Sequence, residues 1–387
     1  MKSSVTARHI LYVGQPPAQG TGSPIVIWRH LRRLAAEGWK VSVVGQRGRS
    51  GVACEREGWS VIDLPLRRPW WPPYREGHPE WLRRVRQRLL AREAIRRLAA
   101  PPDAVLGYLA AHEDFGAELA AACAAALRRP LTLLIHDDAA AFEPDALRRS
   151  RLRARHARLL AAARVNWFVT PALAAACPAP PDRRAVLPPL PEGWTGPLAR
   201  PAAAEAPPRI YYAGHLWPAQ VPLLARLARL LDRAGARLVV IARPGPALAD
   251  LTAEAPLEQI NPFAENRDAL AHLAAHASAV LVSYAETVAA MPWSATSFPS
   301  KLAEFCHLGL PVAVVAPRET AVGAWTEQAG LPDFFEPAAL EPAFSAWAAS
   351  LRDPAVWTAR ADRSRALAAG EFSPERIHRV FADALVA

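Results

Sequence analysis

Short, wholly apolar runs separated by helix-length segments constrain this chain more than any other feature. Ile10-Leu11-Tyr12-Val13, Val41-Ser42-Val43-Val44, Ala104-Val105-Leu106-Gly107-Tyr108, Leu131-Thr132-Leu133-Leu134-Ile135, Val165-Asn166-Trp167-Phe168-Val169 and Ala185-Val186-Leu187 recur through the first half. Such runs are strand-sized, and the segments between them carry helical spacing, as in Ile27, Leu31 and Leu34. Strands apolar on both faces belong to parallel sheets covered by helices on each side. Strand, loop, helix and next strand then form a right-handed βαβ unit. The alternation stops at residues 188–208, where Pro188, Pro189, Pro191, Pro197, Pro201, Pro207 and Pro208 crowd together. It restarts with Ile210-Tyr211-Tyr212-Ala213-Gly214 and continues through Leu238-Val239-Val240-Ile241, Ala279-Val280-Leu281-Val282 and Val312-Ala313-Val314-Val315. An α/β chain of two Rossmann-like domains follows, which suits 387 residues better than one core does. The expected divisions are a domain at 1–190, a proline-rich linker or hinge at 191–209 and a domain at 210–370. A last helix at 371–387, with Ile377, Val380, Phe381 and Leu385, is expected to pack back on the first domain.

In open parallel sheets, ligands bind beyond the carboxyl ends of the strands. The first half offers Gly20-Thr21-Gly22-Ser23, His112-Glu113-Asp114 and His136-Asp137-Asp138 there. The second offers Gly214-His215, Arg243-Pro244-Gly245, Ser283-Tyr284-Ala285-Glu286 and Ser300-Lys301. Ser300-Lys301 stands at a predicted helix start, where unpaired N–H groups and the helix dipole favour a phosphate. Glu304 follows on the same helical face as Lys301. The same residues also suit an ordinary capped helix with a surface Lys and Glu. His112 and His136 are candidate bases or hydroxyl-orienting groups beside carboxylates, or plain loop histidines.

Gly20-Thr21-Gly22 lacks the G-x-G-x-x-G spacing, and Val44 is followed by Gly45-Gln46-Arg47 without an acid, which argues against a nicotinamide dehydrogenase. No H-E-x-x-H, paired C-x-x-C or G-x-S-x-G occurs, so neither a dedicated metal site nor a serine hydrolase is expected. Cys54, Cys123, Cys177 and Cys306 are scattered, as suits buried thiols in a reducing cytosol. The first residues do not resemble a signal peptide, and no apolar window approaches the ~18 residues of a transmembrane helix. A cytoplasmic protein is expected.

The net charge of +10 fits nucleic acid, anionic lipid or phosphorylated substrates, or reflects a bias toward arginine. Without a zinc-finger or RNA-recognition signature, nucleic acid is not expected. Trp81, Leu82, Val85, Leu89 and Leu98 form a stripe among Arg83, Arg84, Arg86, Arg88, Arg92, Arg96 and Arg97, just after Arg67-Arg68-Pro69-Trp70-Trp71. Two readings stand: a core-packing helix with a solvated basic face, or a peripheral contact with an anionic membrane surface.

The assembled pattern resembles the GT-B-fold glycosyltransferases, and among them the retaining glycosyltransferase family 4. The residues that carry the likeness are Tyr212-Ala213-Gly214-His215-Leu216, Val239 to Gly245, Ser283-Tyr284-Ala285-Glu286, Pro299-Ser300-Lys301-Leu302-Ala303-Glu304-Phe305 and Gly309-Leu310-Pro311-Val312. The resemblance implies two domains facing a cleft, the first binding the acceptor and the second a nucleoside diphosphate sugar. It implies that Ser300 and Lys301 hold the diphosphate, with Gly214, His215 and Arg243 beside it, and that Glu304 bonds the ribose. Glu286 would contact the donor sugar, His112 would be the acceptor-side catalytic histidine, and Gly22 the first-loop glycine beside the phosphates. His136 and Asp137 would lie on the acceptor side. Two departures stand out. Glu286 and Glu304 are eighteen residues apart, wider than the family's usual spacing, and the usual Arg and Lys after the Gly214 strand are replaced by His215 and Pro218-Ala219-Gln220.

The implied activity is hexosyl transfer to an acceptor hydroxyl on a glycan, a lipid-linked or a small-molecule acceptor. Retention of configuration is implied too, with no metal and no cofactor beyond the donor. Two alternatives are a nucleotide-sugar epimerase on the same fold and a non-catalytic nucleotide-sugar or glycan-binding protein.

Overall fold

A computed structural model describes residues 7–14, 17, 23–46, 51–64, 79–109, 115–199 and 206–386. Contacts divide the chain into two compact units, Met1–Pro188 with Ile377–Ala387, and Pro189–Arg376. The first unit contains strands β1 (His9–Val13), β2 (Lys40–Gln46), β3 (Ser60–Leu64), β4 (Ala104–Leu109), β5 (Leu131–Ile135), β6 (Val165–Phe168) and β7 (Arg184–Val186). Its helices are α1 (Ser23–Ala36), α2 (Gly51–Arg56), α3 (Glu80–Arg96), α4 (Phe115–Leu127), α5 (Ala146–Ala162) and α6 (Pro171–Ala176). The sheet is seven-stranded in the order β3-β2-β1-β4-β5-β6-β7, with every pair parallel. All residues of β1, β4 and β5 are buried, as expected of apolar runs covered on both faces.

The second unit repeats the plan with β8 (Arg209–Ala213), β9 (Arg237–Ile241), β10 (Glu258–Ile260), β11 (Ala279–Ser283), β12 (Val312–Val315) and β13 (Phe334–Phe335). Its helices are α7 (Val221–Arg233), α8 (Pro246–Glu254), α9 (Asn266–His276), α10 (Ser300–Cys306), α11 (Ala321–Ala329), α12 (Ala343–Ser350) and α13 (Pro354–Ala369). The order is β10-β9-β8-β11-β12-β13, again parallel throughout. Local chemistry sets the helix ends. Asp353 accepts N–H bonds from Ala355 and Val356 to start α13, and Thr320 accepts from Gly323 to start α11. Gly330, at φ +59°, ends α11 in the left-handed conformation that only glycine takes freely.

Residues 189–199 belong to the second unit, where Ala199 donates its N–H to the Leu308 carbonyl. The last helix, α14 (Pro374–Val386), begins in the second unit, and from Ile377 onward it belongs to the first. Ile377, Phe381 and Leu385 are buried, and Phe381 lies 4.1 Å ring to ring from His30 of α1. Val380, placed by its spacing with these three, is exposed instead.

Helix α3 departs furthest from its sequence pattern. A core-packing helix would bury Trp81, Val85 and Leu89 and leave its arginines in water. Here Trp81, Val85 and Leu89 are exposed, while Arg83, Arg86 and Gln87 are buried. The inversion is stabilised from α4. Glu118 receives two hydrogen bonds of 2.9 Å from Arg83, and the Arg86 guanidinium lies 5.8 Å from the Phe115 ring centroid. Buried arginines persist only when so paired. The preceding segment, with Arg67, Arg68, Trp70 and Trp71, lies outside the described residues.

Candidate functional site

In each sheet the strand order reverses once. The reversal falls between β1 and β4 in the first unit and between β8 and β11 in the second. Loops leaving neighbouring strands there diverge to opposite faces, so the crevice above that point is where an open α/β sheet takes a ligand.

In the second unit, one side chain locks the two diverging loops together. Buried Gln220 donates to the Ser283 carbonyl at the end of β11 (2.6 Å) and accepts from the Trp217 N–H in the loop after β8 (3.0 Å). The Tyr212 hydroxyl donates to the His215 carbonyl at 2.7 Å, and burial pushes its pKa far above the usual phenolic value, keeping it a neutral donor. The Tyr284 hydroxyl donates to the Ser297 carbonyl at 3.0 Å and so fixes the segment leading into α10. Trp217, His215, Trp293 and Tyr284 continue this frame as an aromatic series. His215 meets Trp217 edge-on at 4.6 Å, and Trp293 lies 5.5 Å from Trp217 and 5.7 Å from Tyr284.

Of the expected donor-side residues, Gly214 and His215 belong to the loop that this frame holds. Gly214 directly follows β8, and a Cβ placed on it would meet no described atom within 4 Å, so packing does not require glycine there. What the missing side chain leaves is room for close approach to the backbone. His215 and Arg243, after β8 and β9, are exposed. Ser300 and Lys301 form the first turn of α10, which no side chain caps. The Lys301 ammonium donates to Asn266 Oδ1 at 3.4 Å, on the first residue of α9. Glu304 is only 5% exposed, which rules out a helix with Glu304 solvated on its surface. Glu286 is half exposed and lies 3.9 Å from Arg226 of α7. Gln220 and Asn266 were not anticipated. Asn266 opens a helix at a strand-end loop, which was the available signal, whereas nothing local marks Gln220 as a clamp.

In the first unit, Gly22 and His112 lie outside the described residues. His136 follows β5 and is buried edge-on against Tyr108 at 5.4 Å, and burial pushes its pKa down to about 4. At neutral pH it is an uncharged imidazole, better suited to orienting a hydroxyl than to taking its proton. Asp137 is half-buried next to it. Asp138 is structural: it accepts from the Ala140 N–H at 3.0 Å and pairs with Arg153 at 3.2 Å. Sequence reading also missed a glycine pair at the reversal point. A Cβ on Gly116, in the first turn of α4, would come within 2.5 Å of the Gly14 Cα, so the helix start and the end of β1 pack backbone to backbone.

All four cysteines are free and buried, and burial pushes the thiols of Cys54, Cys123 and Cys177 up to about 11, 12 and 12. They are inert as nucleophiles. Among the described residues no cluster of His, Cys, Asp or Glu has the form of a metal site, and no helix is long and apolar enough to cross a membrane.

No family model and no curated protein sequence matches the chain. Solved structures do. A glycosyltransferase from Rickettsia africae matches with a TM-score of 0.69 at 9% identity, over 98% of each chain. HepE from Anabaena, solved with UDP and glucose, matches with a TM-score of 0.64 at 14% identity, over 98% of this chain and 99% of that one. The trehalose 6-phosphate synthase of Burkholderia multivorans matches with a TM-score of 0.63 at 14% identity, over 98% and 96%. The fold is GT-B. At these identities the likeness is one of fold, and the chemistry of this GT-B chain is argued from its own residues.

Proposed function

We propose that the protein is a glycosyltransferase that moves a sugar from a nucleoside diphosphate sugar to an acceptor hydroxyl. The observation that carries this reading is the β8–β11 reversal point. Its loops are clamped by Gln220, its backbone is open at Gly214, and exposed His215 and Arg243 stand on the loops after β8 and β9. HepE, with the same fold, was solved with UDP-glucose as well as with UDP and glucose, which supports a uridine nucleotide as the first donor to test.

In the proposed reaction the bond between the sugar and the diphosphate breaks and negative charge builds on the departing nucleoside diphosphate. Lys301, with the uncapped N–H groups of α10, meets that charge, and Arg243 and His215 stand in for the family's missing Arg and Lys. Glu304 takes the ribose hydroxyls and Glu286 the donor sugar. On the acceptor side, neutral His136 with Asp137 orients the hydroxyl, and His112 and Gly22 keep the roles the resemblance implies. Membership of family 4 and retention of configuration belong to the same reading, as does a glycan, lipid-linked or small-molecule acceptor.

Calorimetric titration with UDP and GDP tests the donor site, with Lys301→Ala as the decisive variant. Binding of one nucleotide, weakened in the variant, is expected. A variant with unchanged nucleotide affinity and turnover would overturn the assignment. Donor turnover without any acceptor would favour an epimerase, and nucleotide binding without turnover a binding protein.

A further inference from the structure

Away from both reversal points, the helices α3, α4 and α5 enclose a cavity of about 580 Å³ on the first unit. Its lining includes six arginines, Arg83, Arg84, Arg88, Arg92, Arg155 and Arg158, against two glutamates, Glu80 and Glu118. Each glutamate is already engaged twice: Glu118 by Arg83 at 2.9 Å and Arg155 at 3.7 Å, Glu80 by Arg158 at 2.7 Å and Arg84 at 3.2 Å. Arg88 and Arg92 have no acidic partner among the described residues. Alanines of α4 supply apolar lining beside the arginines.

The exposed stripe of α3 adjoins this cavity. Trp81, Val85 and Leu89 stand at intervals of four, 66%, 43% and 43% exposed. Helical spacing sets Arg88 and Arg92 between the stripe and the cavity, since each lies three residues after a stripe residue. A helix that faced only water would gain by turning this stripe inward. Here two arginines and a glutamine are buried in its place.

We propose that this face docks on an anionic lipid surface, with headgroup phosphates at Arg88, Arg92 and the cavity mouth, and with Trp81, Val85 and Leu89 entering the acyl boundary. Guanidinium groups match phosphate geometry, and a tryptophan among arginines suits the interfacial layer. Charge complementarity decides the occupant: a second copy of this chain would set the same unpaired arginines near one another, whereas a phospholipid surface neutralises them.

The test is co-sedimentation of the full chain, without nucleotide, on phosphatidylcholine vesicles and on vesicles with about one-third phosphatidylglycerol. Binding to the anionic vesicles alone is expected, lost at high salt. Arg88→Gln with Arg92→Gln is expected to weaken it about thirtyfold, from roughly a fivefold loss per arginine at an anionic surface. Trp81→Gln is expected to weaken it severalfold, and the second-unit control Arg229→Gln with Arg233→Gln to leave it unchanged. Circular dichroism melts confirm that the variants fold. Four results overturn the proposal: equal binding to neutral vesicles, an equal loss in the control pair, inorganic phosphate bound without vesicle binding, or a dimer abolished by Trp81→Gln without vesicle binding. The nucleotide titration reads the second unit, so either reading can fail without the other.

Discussion

The two reversal points share a topology and differ in chemistry. Between β1 and β4, contact is made by bare backbone, Gly14 against Gly116, and the nearby strand end carries a buried, neutral His136. Between β8 and β11, contact is made by a side-chain amide, and the surrounding loops carry exposed His215, Arg243 and Glu286. Under the proposed function, the uncharged His136 imidazole serves an acceptor hydroxyl and the exposed Arg243 guanidinium a diphosphate. The repeated fold thus supplies two similar crevices that differ in the burial of the polar groups around them.

Acid probes that difference most strongly. Burial pushes His136 and His378 down to about 4 and lowers His30 well below its ordinary value, with His378, His136 and nearby arginines adding to the effect. His30 and His378 face each other Nδ1 to Nδ1 at 3.3 Å, and His378 also lies 3.3 Å from Glu37. A histidine whose folded pKa lies below its unfolded value stabilises the fold above that unfolded value. The stability is lost as pH falls from about 6.5 to about 4, where the unfolded chain binds the extra protons. At full effect this is on the order of 3 kcal/mol per histidine shifted to about 4. In the second unit His272 is lowered by partial burial and by His276 and Arg209, while buried Asp333 is raised, a contribution of opposite sign that acid preserves. Melting followed by calorimetry is expected to show the first unit weakening first as pH falls. A melting temperature that does not move over this range would break the contrast.

Lys301→Ala comes next. Removing the ammonium is expected to cost about 2 kcal/mol of nucleotide diphosphate affinity, roughly thirtyfold, with little change in melting temperature. The Lys301 ammonium holds Asn266 Oδ1 at 3.4 Å, a long hydrogen bond whose loss alone costs the fold little. Gly116→Ala tests the other reversal point. A new Cβ 2.5 Å from backbone cannot be absorbed by a rotamer change, so a loss of about 2 kcal/mol is expected, read as a lower urea midpoint. An Ala variant as stable as the parent would show that the backbone contact is loose.

The sheets were legible because their strands are apolar on both faces, and α7 because Leu224, Leu227 and Leu231 lie on its buried side. Helix α3 was not legible, since its arginines are held inward by Glu118 and Phe115, far from it in sequence. The short strands β10 and β13 carry too few residues to show a period. In the second unit, the positions of Gly214, His215 and Arg243 after strands and of Lys301 at a helix start could be read. Gln220 could not, because its meaning lies in a carbonyl sixty-three residues away. Tertiary partners of this kind leave no trace in local spacing.

Gln220 is also the smallest expected effect and the sharpest separation of fold from site. Its amide is the link between the β8 and β11 loops, and replacement by leucine keeps the bulk while removing the bonds to Ser283 and Trp217. The Ser283 carbonyl and the Trp217 N–H then lose a partner at a cost of about 1–2 kcal/mol, part of which water recovers at the Trp217 end. If the clamp only stabilises the unit, Gln220→Leu lowers the melting temperature and leaves nucleotide affinity intact. If it holds Gly214 and His215 in position for the diphosphate, affinity falls severalfold while ordinary folding conditions still give a native unit. The second outcome is expected, because the two loops it joins are those that diverge at the reversal point, and one of them carries both residues.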